Sequence, residues 1–210
     1  MPLSKPKARS LIHTRAIDLK GYHRDDGLWD IEACLVDTKT YSFANTDRGG
    51  LSAGEPIHHM LVRITVDDEM TILGAETSTE AAPFFTCADI NPTFSDLTGL
   101  QIKSGWRRAV LMKFGGLRGC THIVDLLCGP IAQCAHQTVS AARARRHGHT
   151  TEGHTTEGHT TEGHTTEGQT TEKDATGAEE RTRPAMIDTC HALSADGPVV
   201  EREWPEFFEK

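Results

Sequence analysis

No stretch of this 210-residue chain approaches the roughly 20 apolar residues of a membrane-spanning helix. Its basic start, MPLSKPKARSL, lacks the apolar run of a secretory signal. Positive charge is not in excess either: 22 Lys and Arg stand against 30 Asp and Glu, for a formal net charge of −8. These absences argue against membrane and nucleic acid as partners and leave an unknown small molecule or protein, with a cytoplasmic location expected. In that compartment the six cysteines are read as reduced thiols or metal ligands rather than a disulfide framework. No CxxC pair is present, so the usual spacing of a structural zinc site is missing.

A pentapeptide repeat dominates the second half of the chain: GHTTE four times from Gly148, then GQTTE ending at Glu172. It carries no aliphatic or aromatic side chain, cannot offset the entropy of ordering, and is expected to be a disordered linker. Its five glutamates account for much of the net charge; subtracting them from −8 leaves −3 on the remainder. Histidines 149, 154, 159 and 164 recur within it and suit loose metal capture. The expected organisation is a single α+β domain over 9–146, a linker over 147–183, and a C-terminal segment, 184–210, docking back on the domain.

Strand-like patterns come first and helical ones later. Leu28 to Asp37 alternates, with Trp29, Ile31, Ala33 and Leu35 on one face. Asp30, Glu32 and Asp37 are read along its polar side, where paired carboxylates suit acid–base work. His59 to Val66 alternates again, and VDDEM suggests a hairpin into Thr71 to Thr79. From Thr121 to Arg146 the residues Cys120, Val124, Leu127, Ile131, Cys134 and Thr138 form one helical stripe, with a kink expected at Gly129-Pro130. Because strand signals cluster early, an antiparallel sheet of three or four strands with helices on one face is expected, not a doubly wound parallel sheet.

The chemistry-bearing residues gather in GGLRGCTHIVDLL, Gly115 to Leu127, where a glycine-rich turn delivers Cys120 and His122 to the start of a helix. A helix start favours a thiolate or a metal ligand. Asp125 lies close enough in sequence to orient His122. Cys87, at the end of APFFTC, also opens a helical segment, and His58 and His59 precede a strand, pointing to opposite faces. Cys190 and His191 in DTCHAL form a further candidate pair, while Cys34, Cys128 and Cys134 read as core filler.

Several runs together resemble a bacterial family known only as domain of unknown function 2889: RDDGLWDIEACLVDTKTY, GEPIHHMLVRITVD, the Pro83 to Cys87 turn, LTGLQIKSGW, GCTHIVDLL and DTCHALSADGPVV. That resemblance implies that Asp30, His58, Cys87, Cys120, His122, Cys190 and His191 sit in the family's signature blocks. The order of elements is also similar to NifU-type iron–sulphur scaffold proteins. There Cys87 and Cys120 would match two scaffold cysteines and His58 or His59 would take the place of the third.

Three functions fit these residues. The first is a zinc or iron site, catalytic or metal-handling, with His58, His59, Cys87, Cys120 and His122 as candidate ligands. The second is a metal-free acyl or thioester enzyme using Cys120 as nucleophile and His122 as its base, with Asp30 as a candidate catalytic carboxylate. It requires Cys120 to lie in the turn, since residues two apart on a helix do not converge. The third is a non-catalytic binding module in which these side chains are structural.

Overall fold

Alternation of apolar and polar residues drives the first half of the chain into four strands: β1 His13–His23, β2 Trp29–Lys39, β3 Pro56–Val66 and β4 Ile72–Ala81. The computed structural model describes residues 3–146, 183–184 and 187–210. The pentapeptide repeat, for which a linker is expected, lies outside the described residues. The strands pair antiparallel in the order β1-β2-β3-β4, the α+β sheet expected from the sequence. Asp67 to Thr71 makes the β3–β4 turn, its carboxylate accepting from the backbone N–H of Glu69 and Thr71.

One sheet face is apolar. Trp29, Ile31, Ala33 and Leu35 of β2 and Met60, Val62, Ile64 and Val66 of β3 are all buried there. Helical segments cover this face: a 3-10 stretch Phe85–Leu97, then α1 Trp106–Phe114, then a continuous run opened by α2 Thr121–Leu126. Phe94 stacks on Phe114 with ring centroids 5.1 Å apart, and the Trp106 indole donates to the Leu127 carbonyl at 2.7 Å. Burying side chains of this size contributes roughly 1.5–3 kcal/mol each. On the opposite face Arg63 pairs with Glu32 and Glu76, an exposed network worth little individually.

The run after α2 widens at Pro130. Leu127–Ile131 and His136–Ser140 are π turns, separated by α3 Ala132–Ala135 and followed by α4 Ala141–Arg146. Pro130 has no N–H for the carbonyl one α-turn back, and a wider turn accommodates that loss. Each π turn takes extra residues per revolution, so the buried stripe passes through Leu127, Ile131, Ala135 and Val139. Cys134 and Thr138, expected on that stripe, are only partly covered. The Thr138 hydroxyl donates to the Cys134 carbonyl at 2.8 Å. Cys34, also expected as filler, lies on the polar sheet face opposite Leu61.

The C-terminal residues build a small cluster of their own from Ile187, Ala195 and Val200, with α5 at Pro198–Glu203. Arg202 reaches Asp47 at 2.5 Å and the Thr46 hydroxyl donates to Glu203 at 2.9 Å. Among the described residues no helix is long and apolar enough to cross a membrane.

Candidate functional site

Three adjacent strands bring one residue each to the same end of the apolar face. Arg15 of β1 pairs in register with Asp37 of β2, and Asp37 with His58 of β3. Asp37 is the last inward residue of β2, in step with Trp29, Ile31, Ala33 and Leu35, and is 2% exposed. The β2–β3 register shifts just after it, between Asp37 and Thr38. Such bulges re-aim side chains and recur beside active sites.

The Asp37 carboxylate is surrounded by donors. Arg15 grips it bidentately, Nε to Oδ1 at 2.8 Å and Nη2 to Oδ2 at 2.7 Å. Nε2 of His13 lies 3.0 Å from Oδ1, and Nδ1 of His58 lies 3.1 Å from Oδ2. From the helical layer, α2 adds His122, whose Nε2 is 3.8 Å from Oδ2. The His58 and His122 rings stack with centroids 3.8 Å apart and planes tilted by 34°. On its other side, Nδ1 of His122 lies 3.7 Å from Sγ of Cys120.

Cys120 and His122 converge because Cys120 is not yet helical. It caps α2 with φ −104° and ψ 128°, in the turn, where a side chain can reach back to the second helical residue. Gly119 permits the approach: a Cβ there would come within 2.1 Å of the Phe114 carbonyl oxygen.

These surroundings fix the protonation states. Burial works against the Asp37 charge, but the Arg15 hydrogen bonds and charge, with His58 and His13, outweigh it and hold the carboxyl at about 2. Burial, then the nearby His122, pushes His58 down to about 4 despite Asp37. Burial and then Arg15 likewise lower His122. At neutral pH the cluster is an ionised carboxylate facing two neutral imidazoles. Burial raises the Cys120 thiol, outweighing the amides of Ile123 and His122. The expectation that its helix start would leave a thiolate is therefore corrected: desolvation wins over the helix end.

Among the described residues, Asp37, His58 and His122 form a group whose ligand atoms all lie within 4.8 Å of one another. This is a different set from the one the sequence suggested. His58 and His122 belong to it; His59 points to the other face of β3, opposite Val36 of β2. Cys87 is outside the group, and burial pushes its thiol up to about 12. Cys120 stands behind His122 instead of beside the carboxylate.

Asp30 is on the polar face of β2, accepting from Thr65 Oγ1 at 2.7 Å and Arg24 Nη1 at 3.3 Å, and takes no part in the site. Asp37, expected on that same polar side, is not there. An even separation of eight residues from Trp29 places it on the inward face instead, and this parity was the available signal. Arg15 and His13 were missed because nothing local marks them; only strand register brings them to Asp37. Asp125, a candidate to orient His122, is exposed, and Asp37 faces that ring instead.

A family described as protein of unknown function (DUF2889) matches residues 13–137, more than half of the chain. The chain belongs to the DUF2889 family. The matched span contains Arg15, Asp37, His58, Cys120 and His122, so the whole cluster falls within the DUF2889 region. No curated protein and no solved structure matches the chain. The similarity to NifU-type scaffolds expected from the order of elements is not shown by these comparisons.

Proposed function

We propose that this DUF2889 protein is a metal protein that holds a divalent zinc or iron ion on Asp37, His58 and His122. The observation carrying this reading is that three ligand-capable groups lie within 4.8 Å, two of them imidazoles kept neutral and one a carboxylate kept charged. Neutral imidazole and carboxylate are the forms that bind these metals. Two histidines and one carboxylate leave coordination positions open, an arrangement shared by catalytic zinc sites and non-haem iron sites.

When bound, such an ion activates water or polarises a substrate oxygen. The side chains around it have separate tasks. Arg15 occupies one lone pair on each Asp37 oxygen and leaves Oδ2 able to face His58 and His122. Cys120 contacts Nδ1 of His122 and so presents Nε2 toward Asp37. Arg15 also carries the main electrostatic cost, because its cation stands next to a ligand.

The test is elemental analysis of full-length protein purified without an affinity resin that loads metal onto histidines. One equivalent of zinc or iron is expected in the wild type, with its loss in His58→Ala and His122→Ala. Repeat histidines cannot mimic this result, since both variants retain them. Wild-type protein without zinc or iron after anaerobic preparation, or variants that keep the full equivalent, would end the proposal.

A second reading has its own observation. Cys120, His122 and Asp37 stand in sequence, Sγ to Nδ1 at 3.7 Å and Nε2 to Oδ2 at 3.8 Å, the relay of a cysteine-dependent acyl enzyme. Iodoacetamide labelling across pH separates the two. A Cys120 that reacts well below the ordinary thiol range of ~8.5 favours the nucleophile.

A further inference from the structure

Three helical segments open on a cysteine at one corner of the molecule. Cys87 lies in the first turn of Phe85–Leu97, Cys120 caps α2, and Cys190 caps the short turn His191–Leu193. The last two are tied through the backbone, where the N–H of His191 donates to the Gly119 carbonyl at 3.0 Å. This bond joins the immediate neighbours of both cysteines and limits their separation. Across a trans peptide Cα of Cys120 is about 2.8 Å from the Gly119 oxygen, and Cα of Cys190 is about 2.4 Å from the His191 nitrogen. Added to the 3.0 Å bond, these place the two Cα atoms no more than about 8 Å apart, and disulfides span roughly 4.4–6.8 Å.

The two thiols also differ in exposure. Cys120 is 7% exposed and Cys190 is half-buried, which gives the pair an inner and an outer member. The other cysteines lie elsewhere: Cys34 on the polar sheet face, Cys128 near the Arg107 carbonyl, and Cys134 near Thr138.

We propose that Cys120 and Cys190 are a modification site, joined as a disulfide when the protein meets a hydroperoxide. Cys190, as thiolate, attacks the peroxide: an S–O bond forms, the O–O bond breaks, and hydroxide leaves. Sγ of Cys120 then attacks the sulfenic sulfur; the S–S bond forms, the S–O bond breaks, and water leaves with the Cys120 proton. Two thiols and one hydrogen peroxide give one disulfide and two waters. The bond takes Cys120 away from His122 and links the C-terminal segment covalently to the start of α2. The inference rests on backbone geometry and holds whether or not His122 binds a metal.

Full-length protein is exposed to hydrogen peroxide, alkylated, and mapped by mass spectrometry without reduction. Two of the six cysteines are expected to lose reactivity, with fragmentation locating the link at Cys120 and Cys190. Reductant restores both thiols. Cys190→Ser abolishes the link, while Cys87→Ser retains it. The proposal is overturned if Cys120 and Cys190 still alkylate fully after oxidation, or if the link joins Cys87 or two chains. Oxidation that stops at a sulfinic acid on Cys190 overturns it too. Mapping of the wild type decides the matter even if a variant fails to fold.

Discussion

Replacing Asp37 by Asn tests the electrostatic core of the site. The carboxyl sits at about 2 in the folded protein against an ordinary 3.8. Each unit of such a shift corresponds to about 1.4 kcal/mol, so the charge contributes on the order of 2 kcal/mol at neutral pH. Screening removes little of this, because Asp37 itself is only 2% exposed. Its main partner is different: the Arg15 side chain is 38% exposed and can return to water. The loss should therefore stay below the roughly 3–5 kcal/mol of a fully buried broken pair. Asn retains the shape but places an NH2 among the donors of Arg15, His13 and His58. Urea unfolding of both proteins with chelator present, followed by tryptophan fluorescence, should show about 2–3 kcal/mol lost at pH 7. A lowered folded pKa contributes stability that is present above the unfolded value and lost as pH falls through the folded one. The gap between wild type and variant should accordingly shrink from about pH 4 toward pH 2. Equal stability at pH 7, or a gap that widens in acid, would refute the reasoning.

His58 gives an acid loss of the same sign at higher pH. His58 is depressed from 6.5 to about 4, so the unfolded chain takes up its proton first and stability should fall between those values, by up to about 3 kcal/mol. His58→Ala in metal-free protein should flatten that part of the pH–stability profile; an unchanged slope would exclude His58 as its source. Gly119→Ala puts a Cβ 2.1 Å from the Phe114 carbonyl oxygen, and thermal unfolding should show about 1–3 kcal/mol of overpacking loss. A neutral result would mean that the turn delivering Cys120 can shift.

How much of this was legible depended on whether the information was local. Strand alternation marked Met60, Val62, Ile64 and Val66 as core, and all four are buried. Strong early alternation also implied the antiparallel sheet. Cys120 and His122 were legible as partners because a glycine-rich turn precedes a helix within a few residues. Asp37 was legible in principle through its parity with Trp29, yet its acidic type drew it to the polar side. Residue type suggested one face and the period-2 geometry dictates the other; geometry wins because the backbone sets side-chain direction. Arg15 and His13 lie more than 20 residues from Asp37 in sequence. Only the β1–β2 register joins them, and no local pattern encodes it. The stripe along 121–146 slipped by one position for a similar reason, since π turns change the period on which it was counted.

The make-up of the cluster separates a functional reading from a merely structural one. An ion pair alone needs only Arg15 and Asp37, whose bidentate contact already holds both oxygens. His58 and His122 add burial of two more polar rings, and their stacking disfavours a proton on His58. Fold stability does not require them, and apolar side chains at the edge of this core would be cheaper to bury. What they add is lone pairs free of protons, close to a carboxylate that Arg15 keeps ionised to about 2. Proton competition is the first obstacle to a cation at a histidine site. Here it is already removed, at the cost of a neighbouring guanidinium that any bound cation must tolerate. An anionic substrate group or hydroxide completing the open positions would balance that charge. The metal reading thus predicts tighter binding at alkaline than at acid pH, with the steepest change below about pH 6 as the imidazoles begin to protonate. Metal titrations by calorimetry across that range should show it; affinity independent of pH would point to ligands other than these histidines.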